Sequence, residues 1–161
     1  MTDSTAASDP SATPADILAD TGFVKQEWEG RQTDWLLQWF VQFVNKTPLE
    51  VGITLSIGGG LVSGTLISHH QYFEELAADF SKPFEAFDGP EAEHVKDLVL
   101  GFITPPTPAG EREPAMQFLH LRDARLYSAG GEAIPSKGAL WRGKIAAVDG
   151  FSMGGLSANQ T

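Results

Sequence analysis

Residues 51–68 read VGITLSIGGGLVSGTLIS. Val51, Ile53, Leu55 and Ile57 alternate with Gly52, Thr54 and Ser56, the period-two pattern of a strand with one face buried. Gly58, Gly59 and Gly60 follow, and glycine supplies the positive φ that a tight hairpin turn requires. Leu61 to Ser68 then forms the returning strand. Gly64 inside that strand predicts a bulge or sharp bend, as at the corner of a small barrel.

Three more strand signals lie downstream. In residues 116–127, Phe118 and His120 alternate with Leu119 and Leu121. Residues 128–138 are turn-rich, with Gly130-Gly131 and Pro135-Ser136-Lys137-Gly138. Residues 139–148 form the next strand, Asp149-Gly150 spells a hairpin turn, and residues 151–156 close the set. Five short antiparallel strands with internal glycines predict an α+β fold built on a small bent five-stranded barrel.

Helices flank the strands. In residues 33–46, Thr33 caps the start and Asp34 complements the helix dipole. Trp35, Leu36, Trp39, Phe40, Phe43 and Val44 fall on one apolar stripe, and Pro48 stops the helix. Residues 70–80 and 90–103 carry two more helical patterns. They lie within an insertion at 69–114, where Pro105, Pro106 and Pro108 close the second helix and begin a loop running to Pro114. The domain plan is an acidic, mostly disordered extension at 1–32, one domain at 33–156 and a flexible tail at 157–161.

The chain has 161 residues, 11 Lys and Arg against 21 Asp and Glu, and a net charge of −10. That length suits one domain, and an apolar share of 42% suffices for a core. The acidic balance argues against a general nucleic-acid binder and against docking on an anionic membrane. With no Cys, a disulfide framework and thiolate metal sites are excluded. The start lacks a basic stretch before an apolar core, and no apolar run approaches the ~20 residues of a spanning helix. A cytoplasmic protein is expected. The charge is uneven: residues 1–32 carry net −4, 69–114 net −7 and 115–161 net +2.

Catalytic chemistry finds little footing. Gly150-Phe151-Ser152-Met153-Gly154 spells a nucleophile elbow, but seven residues follow Gly154, none of them acidic or His. The pair Glu74-Glu75 sits on a helical surface. His69, His70, His94 and His120 lack the His-x₃-His spacing that places two imidazoles on one helix face. His70 and Glu74 suit an i, i+4 surface contact. Gly58-Gly59-Gly60 joins two strands, whereas a phosphate cradle needs a strand followed by a helix. We expect no enzyme, no metal and no cofactor.

Ser63-Gly64-Thr65-Leu66, Leu121-Arg122-Asp123-Ala124 and Trp141-Arg142-Gly143 resemble the spaced pieces of an Sm-like barrel, of the SH3-like class. That likeness implies an Sm-like RNA-binding module as the alternative function. An Asp-x-x-x-Asn-type RNA-reading loop is missing, and the acidic insertion stands in its place. A longer likeness covers roughly residues 51–156. The run 61–68 with Tyr72-Phe73, the run 118–121 and above all Pro135-Ser136-Lys137-Gly138-Ala139-Leu140-Trp141-Arg142-Gly143-Lys144 through to Phe151 are similar to the gas vesicle accessory protein GvpU family. The resemblance implies a non-catalytic role in gas vesicle formation or clustering, partners among vesicle shell or associated proteins, and location with vesicles in the cytoplasm.

The residues themselves suggest where contacts are made. Lys137, Arg142 and Lys144 form a basic edge in an acidic protein. By strand parity, Arg142 and Lys144 project from one face, with Trp141 and Gly143 on the other. Trp141 suits barrel packing ahead of contact, and Trp35 and Trp39 suit a buried stripe ahead of one shared with a partner. These six residues are the candidate interaction surface. An open strand edge adds an expected homo-oligomer.

Overall fold

The computed structural model describes residues 33–87, 89–105, 107–108, 115–127 and 133–156. The expected disorder of 1–32 and of the 157–161 tail lies outside these residues. Helix α1 (Trp35–Lys46) precedes strands β1 (Val51–Ile57) and β2 (Gly60–Ile67). Helix α2 (His69–Ser81), a 3₁₀ turn (Lys82–Ala86) and helix α3 (Glu91–Leu100) come next. Strands β3 (Phe118–Tyr127) and β4 (Ala133–Lys144), a second 3₁₀ turn (Ile145–Ala147) and strand β5 (Gly150–Met153) complete the order.

The quoted hairpin forms as its alternation demands. Val51 to Ile57 pair antiparallel with Leu66 to Gly60, and Gly58 and Gly59 turn the chain at φ 55° and 81°. At Gly64 the β2–β3 register shifts, and a Cβ there would stand 2.9 Å from the Arg122 carbonyl oxygen. The expected bulge is therefore present, and glycine lets β3 approach.

All five strands pair antiparallel in the order β4-β3-β2-β1-β5. The sheet is not closed, which corrects the expected barrel. β5 has four residues and pairs with β1, leaving β4 and β5 as the two edges. Asp149-Gly150 is likewise no β4–β5 hairpin. The 3₁₀ turn carries the chain to the far side of β1, where the Asp149 N–H donates to the Ser56 carbonyl and its carboxylate accepts the Gly58 N–H at 2.8 Å. Residues 133–138, expected as loop, belong to β4.

Helices cover both faces. One face packs Ile53, Leu55, Val62, Leu66, Leu119 and Leu121 against Leu37, Val41 and Val44 of α1. On the other, Ile67 joins Tyr72, Phe73 and Ala77 of α2 and Val99 of α3. The α1 stripe is therefore rotated from the expected one. Its buried line is Leu37, Val41 and Val44, while Trp35 and Trp39 face outward. Two polar residues set this rotation. The Gln38 amide donates to the Met116 carbonyl at 3.2 Å, and Asn45 Oδ1 accepts the His69 N–H at 2.7 Å.

Capping agrees with the sequence in part. Asp34, not Thr33, caps α1, accepting from the Leu36 and Leu37 N–H groups. Ser68 and Gln71 form a capping box at the start of α2.

Candidate functional site

The long run at 135–151 owes its composition to β4. Arg142 pairs across the strands with His120, and Lys144 with Phe118, so these four share the face covered by α2. The Arg142 guanidinium lies 3.8 Å from the Phe118 ring centroid, a cation–π contact. Trp141 points to the opposite face and packs on the α1-side core. Its indole lies against Gly143, where a Cβ would fall 1.9 Å from the ring. The sequence Trp-Arg-Gly is thus an indole, the cation on the reverse face, and the gap that seats the indole.

Lys137, Arg142 and Lys144 are all exposed. Trp35 is 73% and Trp39 50% exposed. Trp39 stacks on Phe43 at 5.4 Å and meets Phe40 edge-on at 5.1 Å. The six candidate residues are not one surface. The two indoles of α1 lie on its outer side, Trp141 lies inward, and Arg142 and Lys144 lie across the sheet.

Beneath α2 sits a buried aromatic group. His120 is 3% exposed, its ring 4.5 Å from Tyr72 and 5.4 Å from His69. Its Nε2 has no hydrogen-bond partner among the described residues. Burial, then the nearby His69 and Arg142, push its pKa down to about 3. Burial also lowers the pKa of His69, whose Nε2 accepts the Thr104 N–H. Burial raises that of Tyr72. Beside this group, Arg122 of β3 bonds Glu50 and, at 3.0 Å, Glu75 of α2, and the Glu75 bond leads in raising its pKa. These contacts tie α2 to the sheet.

Among the described residues no group of three or more His, Asp or Glu is placed to hold a metal ion. Ser152 is exposed in β5 with no helix after it among the described residues. His70 and Glu74 form the surface pair at 3.1 Å. No described helix is long and apolar enough to cross a membrane.

Sequence reasoning missed a third surface, the aromatic row of the insertion. Phe80, Phe84 and Phe87 follow one another with ring centroids 6.3 and 6.4 Å apart. Phe80 is 55% and Phe87 61% exposed. The spacing i, i+4, i+7 was the available signal, but it also describes a buried helix face.

No curated protein and no solved structure matches the chain. A family model described as gas vesicle protein GvpU-like matches residues 34–156, from the cap of α1 to three residues beyond β5. That span includes every described element, and the chain belongs to the GvpU-like family of gas vesicle proteins.

Proposed function

We propose that this protein is a non-catalytic accessory factor that contacts gas vesicles and itself, and so supports vesicle formation or clustering. The observation that carries this reading is the outward face of α1, which turns Trp35 and Trp39 to solvent. Large aromatic residues kept at the surface suit anchoring on a protein partner. The exposed basic edge of β4 supplies a second, chemically different contact for another copy. Two kinds of contact on one chain give the multivalency that bridging requires. The vesicle partner is read as a shell or associated protein, and the location as the vesicle surface in the cytoplasm.

Co-flotation with purified gas vesicles tests the reading. The wild-type chain rises with the vesicles and draws them into clusters visible by light microscopy. Trp35→Ser with Trp39→Ser remains in the subnatant. Wild-type protein that stays behind while vesicles remain dispersed overturns the proposal.

A further inference from the structure

We propose that the aromatic row Phe80, Phe84 and Phe87 receives the basic β4 edge of a second copy, so that copies join head to tail. The proposal rests on the reading of the chain as self-associating and names the surface that answers β4.

The row is exposed for a local reason. α2 turns Tyr72, Phe73, Ala77 and Ser81 inward, which places Phe80 off its buried face. Pro83 is the second residue of the 3₁₀ turn, Phe84 within it is half-buried, and Phe87 just after it is exposed. The buried core beneath α2 and α3 is Ile67, Tyr72, Phe73, Ala77 and Val99, and none of the three rings belongs to it.

Charge selects the occupant. Between residues 69 and 105 the described residues include seven Asp or Glu and two Lys. A polyanion or an anionic lipid surface meets repulsion here. A purely apolar partner would strip water from carboxylates without replacing it. A segment that is both apolar and basic satisfies both demands, and β4 is one. It is an edge strand that exposes Lys137, Arg142 and Lys144. It also exposes Ile134, whose cross-strand partner Leu126 is exposed as well. Among the described residues no ion pair joins these three cations to the insertion of the same chain. The two patches differ, so the contact is heterologous and builds rings or open chains instead of a closed dimer.

Complementation tests the proposal. One variant reverses β4 (Lys137→Glu, Arg142→Glu, Lys144→Glu) and keeps the row. The other removes the row (Phe80→Ser, Phe87→Ser) and keeps β4. Circular dichroism checks that both fold, and Asp79→Lys with Glu85→Lys provides a second row variant that retains the rings. In sedimentation velocity the wild type forms species larger than a dimer, and each variant alone associates at least ~10-fold more weakly. An equimolar mixture of the β4 and row variants forms a dimer and stops, because each copy contributes its one intact patch. A row variant that assembles like the wild type, or a mixture that stays monomeric, overturns this pairing and leaves self-association standing. A wild type that is monomeric throughout overturns the underlying reading as well.

Discussion

His120 shows what one buried imidazole costs. Held against Tyr72 and His69 of α2 and beside Arg142 of β4, its ring is neutral in the fold. Its pKa of about 3 lies below the ordinary 6.5, so a proton is tolerated less well in the folded chain than in the unfolded one. The stability this group contributes is complete above pH 6.5 and falls as the pH drops from 6.5 toward 3. The slope reaches about 1.4 kcal/mol per pH unit, and His69 adds to it in the same direction. Urea unfolding at pH 7 and pH 5 measures the effect. The wild-type midpoint falls across this interval, and His120→Leu flattens most of the fall. A variant with the wild-type slope would remove His120 as its source. The sequence alone places His120 in a strand. Its environment comes from α2, whose Tyr72 lies 48 residues upstream, which no local pattern discloses.

At the scale of elements, α1 separates what periodicity reveals from what it conceals. The helix itself was legible from its spacing, from Asp34 and from Pro48. Its rotation was not, because apolar residues occupy most of its circumference and offer more than one stripe. Gln38 and Asn45 decide it through bonds to residues 78 and 24 positions away. The consequence is measurable. Leu37→Ala, at a fully buried position, costs about 2–5 kcal/mol, whereas Trp35→Ala costs under ~1 kcal/mol. Denaturant titration of the two variants gives the comparison, and equal costs would place the indole stripe inward. Strand parity was the opposite case. Arg142 and Lys144 opposite Trp141 and Gly143 followed from period two alone. The start of β4 escaped because Pro135, Ser136, Lys137 and Gly138 are turn residues by type. In the fold they carry a bulge, where Gly138 at φ 75° lies against the Asp123 backbone and Asp123 itself has φ 52°.

At the scale of the molecule, the open sheet and the charge distribution meet. Five antiparallel strands were legible from alternation and glycine turns. Closure was not, since it depends on what the edges of β4 and β5 find in space. Leaving β4 at an edge places its three cations Lys137, Arg142 and Lys144 beside solvent, in a protein whose total is −10. Two explanations then compete for any loss of association when β4 is neutralised. Lys137→Gln, Arg142→Gln and Lys144→Gln together move the net charge from −10 to −13, which strengthens general repulsion as well as removing local contacts. Adding Asp3→Asn, Asp9→Asn and Asp16→Asn restores −10 and separates the two. If β4 acts through contact, the compensated six-site variant associates as weakly as the triple one in light scattering. The three Asn changes alone then leave association at the wild-type level or raise it. Salt gives an independent check, because shortening the screening length from ~10 Å at 0.1 M to ~3 Å at 1 M weakens wild-type association and changes the β4 variants little. Recovery of the compensated variant to wild-type association would assign the effect to net charge alone, and the β4 edge would lose its role.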